Sequence, residues 1–346
     1  MERLEELDSL QIENCDLLEE IFEPQGLIAN QSHAATSTHS LAVETEAKFV
    51  FPKTYLLQNV CHKVDIFASE RACFGETQTE SQVEISNQEP LFWVSEVTFP
   101  ILQKLILEKT ATSKGIWHGQ LSRDCFRKLK VLELIRVPGK SDALPFCFIR
   151  SLPALKTLVL NDASFRQIFQ SEGLDEEGHS SVPTRLSKLR LSKLPELTHI
   201  WQEEFRAAFC KLRILEVEEC GKFKTLVPSL ASFENLTTLK VSRCHGIFNL
   251  VACSGAKSLM LLKRLSISDC KMIEEIIACD GEEIKGSIVF SKLEYLQLSC
   301  LPSLVSFSLG DHNFEFPALK KKIVRECPKM NFCQGDSSTS KLNECN

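Results

Sequence analysis

FCKLRILEVEECGKF, Phe209 to Phe223, is followed almost at once by FENLTTLKVSRCHGIF, Phe233 to Phe248. Each opens on phenylalanine, places leucines three and six residues on, then a valine, and meets a cysteine three residues after that valine. The phrase Phe/Leu-x-x-Leu-x-x-Leu-x-aliphatic also spans Phe99–Leu107, Phe126–Leu134, Leu152–Leu160, Leu259–Ile267 and Phe290–Leu298. A shorter version runs Leu186, Leu189, Leu191, and a last one runs Phe316, Leu319, Lys322, Val324, with lysine in a leucine slot. The leucines after the opening residue are Leu102, Leu129, Leu155, Leu186, Leu212, Leu236, Leu262, Leu293 and Leu319, 24 to 31 residues apart.

The Leu-x-aliphatic alternation is that of a short strand with both apolar side chains turned inward. A second apolar cluster follows each strand, as in Phe165, Ile168, Phe169 or Ile273, Ile276, Ile277. A single repeat cannot close a core over two such clusters, so neighbours must stack. The spacing is that of leucine-rich repeats. The expected fold is an α/β repeat protein, a leucine-rich-repeat solenoid curved as a horseshoe. A parallel β-ladder lines its concave face, and irregular or short helical segments form the convex side.

Cys15, Cys220, Cys244, Cys270 and Cys327 each stand three residues after the last strand aliphatic. A small side chain that packs as a hydrophobe and bonds weakly to backbone suits the inward turn there. Leu194 and Leu301 fill the same slot in other repeats, an exchange a metal site would not tolerate. The 15 cysteines contain no CxxC, and MERLEELDSL has no apolar signal-peptide core, so the thiols are read as reduced.

Apolar residues make up 43% and charged residues 25%, which places the chain among globular proteins rather than disordered ones. A formal charge of -6 argues against a general nucleic-acid binder, and no apolar run approaches the ~18 residues of a membrane span. Residues 1–23 read as a partial repeat entered midstream, 24–48 as a polar loop, and 49–98 as a degenerate repeat region in which strand leucines are missing. The regular solenoid is 99–330, and 331–346 is a polar tail. A start inside a repeat leaves two possibilities open, a truncated gene product or a piece of something longer.

LEELDSLQIENCDLLEEIF, LTHIW (197–201), LSISDCKMIEEII (265–277), FSKLEYLQLSCLPSLVSF (290–307) and FPALKKKIVRECPKM (316–330) carry a resemblance. The chain resembles the C-terminal repeats of plant nucleotide-binding leucine-rich-repeat immune receptors of the coiled-coil class. The resemblance implies a cytoplasmic, non-enzymatic recognition module whose partners are proteins: a pathogen effector, a guarded host protein or the receptor's own nucleotide-binding domain. That domain and the coiled coil have no counterpart here. The alternatives are a truncated receptor product without independent activity and a substrate adaptor of a ubiquitin ligase. The adaptor would need a helical segment ahead of the repeats, which begin at Leu4.

No catalytic, metal or cofactor site is expected. Gly139-Lys140-Ser141 ends like a phosphate loop, but Leu134 stands where the first glycine belongs. The eight histidines are scattered, and neither HExxH nor GxSxG occurs. Trp117 and Trp201 fall on return segments and read as core. The candidate site is instead the outward-facing positions of the strands: Lys188, Arg190, Glu216, Glu218, Lys240, Arg264, Tyr295 and Gln297, with no nucleic acid and no membrane as partner.

Overall fold

The computed structural model describes residues 9–13, 20–22, 54–58, 65–67, 101–108, 126–136, 143–170, 184–198, 200, 209–222, 225–227, 233–278, 287–309 and 313–330. Cys15, Trp117, Trp201, Gly139 to Ser141, the 24–48 loop and the 331–346 tail lie outside them. Eleven strands form one parallel sheet in chain order. They are β1 Ser9–Glu13, β2 Thr54–Gln58, β3 Lys104–Glu108, β4 Val131–Ile135, β5 Thr157–Asn161 and β6 Lys188–Ser192. The series continues with β7 Ile214–Glu218, β8 Thr238–Ser242, β9 Arg264–Ser268, β10 Tyr295–Ser299 and β11 Lys321–Arg325. This is the leucine-rich-repeat solenoid. The 49–98 region supplies β2, in which Tyr55 stands in register with Leu10 and Leu105.

The repeat phrase builds each turn in three steps. Phe-x-x-Leu is a hydrogen-bonded turn: the Leu212 N–H donates to the Phe209 carbonyl at 2.9 Å, and Leu236 to Phe233 at 2.9 Å. Both of its apolar ends are buried. Two successive amides then donate to one carbonyl of the preceding repeat, Arg213 and Ile214 to Ser187 at 2.8 and 3.0 Å, Thr237 and Thr238 to Arg213 at 2.8 and 3.0 Å. The strand therefore starts in register with its neighbour. Leu189, Leu215, Leu239, Leu265 and Leu296 lie side by side as one column of the core.

The residue after each of β4 to β11 takes a left-handed backbone although it is not glycine: Arg136, Asp162, Lys193, Glu219, Arg243, Asp269, Cys300 and Glu326 have φ between 50° and 55°. The conformation aims the amide at the next repeat. Lys193 N–H reaches the Glu218 carbonyl at 2.9 Å, and Arg243 N–H reaches Ser268 at 3.0 Å. The hydrogen bond offsets the ~1–2 kcal/mol cost of that backbone for a residue with a Cβ. Lys193→Val should therefore destabilise the chain by about 1–2 kcal/mol, while Lys193→Gly stays within about 0.5 kcal/mol of the parent in urea denaturation. Equal effects would show that backbone strain at this turn is immaterial.

The cysteines complete the same turn. Cys220 is 3% exposed, and Cys244 and Cys270 are fully buried. Their Sγ atoms donate to the carbonyl two residues back, Glu218 at 3.1 Å, Ser242 at 3.3 Å and Ser268 at 3.3 Å. Each of those carbonyls already accepts a left-handed residue's amide, so the thiol takes its second lone pair. Leu194 and Leu301 fill the slot with carbon alone and are equally buried.

The return side carries the short helical segments expected and adds short strands to them. Helix is confined, among the described residues, to Phe146–Arg150, Cys253–Ala256 and the 3-10 turn Lys257–Leu259. Thr225–Val227, Asn249–Ala252 and Glu275–Ala278 form a second parallel sheet, and Ile288–Val289 pairs with Phe314–Glu315. Val251 lies beside Ile277 in that sheet. β-Branched residues brought into register by the inner ladder favour strand over helix there. One continuous core runs between the two sides, from Leu102 to Leu304. At the last strand Lys322 enters the leucine column beside Leu296. A charge in the core column of an edge strand opposes the addition of a further strand.

Candidate protein-binding face

The burial pattern of the ladder separates its two sides. In β3, β4, β5, β7 and β10 the second and fourth residues are buried and the first, third and fifth are not. The outward side of the ladder, called the ladder face below, carries all eight candidate residues. Strand alternation was enough to place them there.

Their neighbours divide them into two groups. Lys188 Nζ is 3.3 Å from Glu216 Oε2 on the adjoining strand, and Arg190 lies 3.9 Å from both Glu216 and Glu218. Arg243, in the turn after β8, also pairs with Glu218, and its Nε lies 2.6 Å from Glu219. The two glutamates are thus held by three cations. Further back, Lys104 pairs with Glu133 at 2.9 Å, and Arg136 pairs with Glu108 and Asp162 at 3.5 and 3.2 Å. These pairs are partly exposed, so each contributes only about 0.2–1 kcal/mol.

Arg264, Tyr295 and Gln297 form the second group. The Arg264 guanidinium lies 4.3 Å from the centroid of the Tyr295 ring, a cation–π contact, and the residue is exposed. The Tyr295 hydroxyl donates to Gln297 Oε1 at 2.8 Å, Ser266 Oγ donates to the same oxygen at 3.3 Å, and Gln297 Nε2 donates to Ser299 Oγ at 3.3 Å. This polar network fixes the side chains of two adjacent strands, β9 and β10, relative to one another. Lys240 is exposed on the strand before it. Arg243 is a member of the face that strand alternation missed, because it sits one residue past the strand. Its signal was available only as a charge opposite Glu218 once the register was known.

An open cleft of about 650 Å³ adjoins the face at the turn edge, lined among others by Arg243, His245, Asp269, Lys271, Cys300 and Glu326. Cys300 Sγ donates to Glu326 Oε2 at 3.1 Å, and that carboxylate, with partial burial, pushes the thiol up to about 11. It is protonated at neutral pH and unsuited to nucleophilic attack. Burial raises the structural thiols as well, Cys220 and Cys270 to about 12 and Cys244 to about 11. Among the described residues no three His, Cys, Asp or Glu side chains converge as metal ligands, and no helix is long and apolar enough to cross a membrane.

Comparison with known proteins agrees with the repeat. The family described as plant disease resistance protein RPS2-like, leucine-rich repeats, matches residues 101–232 and 229–343. The chain is 28% identical over 211 residues to the probable disease resistance protein At1g61310 of Arabidopsis thaliana, covering 58% of this chain and 22% of that protein. It is 31% identical over 155 residues to the probable disease resistance protein At1g61300 of the same plant, covering 44% and 19%. Over 123 residues it is 31% identical to the disease resistance protein UNI, also of Arabidopsis thaliana, covering 35% and 13%. The chain thus spans about a fifth or less of the length of these relatives. No solved structure matches it. The chain belongs to the RPS2-like leucine-rich-repeat family of plant disease resistance proteins.

Proposed function

We propose that this resistance-protein repeat module recognises protein, without enzymatic activity, as part of a cytoplasmic plant immune receptor. Its ladder face meets a pathogen effector or a guarded host protein, or rests against the receptor's own nucleotide-binding domain. The observation that supports this reading is the face itself: a continuous run of parallel strands with ordered, mixed charges and a pre-arranged Arg264–Tyr295–Gln297 network. Charges of that kind steer and select a protein partner, and a few anchors such as Ile106, Ile135 and Val159 supply affinity. A photo-reactive residue at position 297, expressed in plant tissue, should give protein adducts, while one at exposed Glu274 on the return side should not. Glu216→Gln with Glu218→Gln should cut the adduct yield about tenfold while the fold persists, since each exposed pair contributes roughly 1 kcal/mol or less. Equal adducts at both positions would move the site off this face.

A further inference from the structure

The charges of the ladder face are not balanced evenly along the solenoid. Every carboxylate of β3, β4 and β7 has a cation beside it, and Lys104, Lys188 and Arg190 each have a carboxylate partner. That stretch is neutralised from within. The last four strands read TLKVS, RLSIS, YLQLS and KKIVR, with no aspartate or glutamate. Lys240, Arg264, Lys321 and Arg325 on them are exposed, and none has a carboxylate within ion-pair distance among the described residues. Between them lie only uncharged side chains, chiefly Ser266, Tyr295, Gln297, Ser299 and Ile323. A chain of formal charge -6 thus concentrates unmatched positive charge on one face.

We propose that the ladder face of β8–β11 docks an extended acidic segment of a partner protein, its carboxylates taken by Lys240, Arg264, Lys321 and Arg325; this rests on the reading of the ladder face as the recognition surface. The dimensions suit such an occupant. Four strands at roughly 4.8 Å spacing, each five residues long, give a patch about 15–20 Å on each side, the reach of five or six extended residues. Arg264 is already held over the Tyr295 ring, so its planar fork meets a carboxylate with little further loss of freedom. One flank selects against a broad polyanion. Along the edge that precedes the strands Glu294 is paired with Lys320 at 2.9 Å and also feels Lys263, so that edge carries no net negative charge. Along the other, Asp269 and Glu326 occupy the turns after β9 and β11. A duplex about 20 Å wide would press phosphates on these two carboxylates, whereas a single extended chain passes beside them.

The test uses the full chain and a fluorescein-labelled eight-residue peptide alternating Glu and Ser, read by anisotropy at 50 mM salt. The expected result is saturable binding that weakens at least tenfold in the variant Lys240→Ser, Arg264→Ser, Lys321→Ser, Arg325→Ser. It should change less than twofold in Lys130→Ser, Lys156→Ser, Arg213→Ser, which removes exposed cations preceding earlier strands. A Lys–Ser peptide should not bind, and an eight-nucleotide single-stranded DNA should bind more weakly than the Glu–Ser peptide. Absence of saturable binding, equal loss in the two variants, or tighter DNA binding overturns the proposal. A bulky block in the middle of the patch, Ser266→Trp, separates the two readings. If it abolishes peptide binding while the four-serine variant does not, the face binds but not through these cations. If neither variant affects the binding, the peptide sits elsewhere, and the ladder face loses its support as well.

Discussion

Leu239→Ala should lower the stability of the chain by about 2–5 kcal/mol in urea denaturation, while Lys240→Ala, one residue on, should stay within about 0.5 kcal/mol. Leu239 is fully buried, and Lys240 is exposed. The leucine sits in the middle of a column, with Leu215 on one side and Leu265 on the other. Removing its side chain opens a cavity that both neighbours border, and a backbone tied to each neighbour through its amides cannot collapse to fill it. In a solenoid stability is carried by contacts between adjacent repeats, so the damage weakens two interfaces together. The consequence is local as well as global: amide exchange should speed most in β7, β8 and β9 and least in β4 and β5. A uniform change along the ladder, or similar effects for leucine and lysine, would contradict a core built from lateral columns.

The second large effect is loss of stability in alkali. Burial holds Cys220 and Cys270 up at about 12 and Cys244 at about 11, against a value near 9 for an exposed thiol. Folded pKa values above unfolded ones mean that the neutral thiol is favoured inside. This contribution is complete below pH 9. It is lost as pH climbs from 9 toward 11–12, because unfolded thiols ionise first. By pH 10 the loss should be on the order of 1 kcal/mol for each thiol and about 4 kcal/mol for the three. The measurement is urea denaturation at pH 7.5, 9 and 10 for the parent and for Cys220→Ala, Cys244→Ala, Cys270→Ala. The triple variant should be weaker at pH 7.5 and yet lose about 4 kcal/mol less between pH 7.5 and 10. Parallel pH dependences would mean that these thiols open to solvent readily, against their enclosure in the turn.

Phe209, Leu212, Leu215, Val217 and Cys220 show how far periodicity alone reaches. Their spacings state which side chains must turn inward, because a strand repeats every two residues and the turn before it every three. The structure buries all five. The same alternation put Lys188, Arg190, Glu216, Glu218, Lys240, Arg264, Tyr295 and Gln297 on the outward side. Lys322 was legible as an exception and takes its place in the last strand's core column. The return side was less legible. Short apolar runs such as EIIA, Glu275–Ala278, suit a strand or a buried helix equally well until a neighbour is supplied.

The sequence by itself determined the direction of each side chain, the length of each turn and the need for neighbours, since these follow from local period and from the area a lone repeat would leave exposed. Only the tertiary structure decided which charges meet. Arg190 and Glu216 are 26 positions apart and become partners solely because their strands stack without stagger. Stacking likewise left Lys240, Arg264, Lys321 and Arg325 unmatched, and it set the left-handed residue after each of β4 to β10, whose amide finds its acceptor on the following repeat. Coulomb attraction and hydrogen bonding act over a few ångströms of space, and in a solenoid that short distance is fixed by the lateral register between repeats.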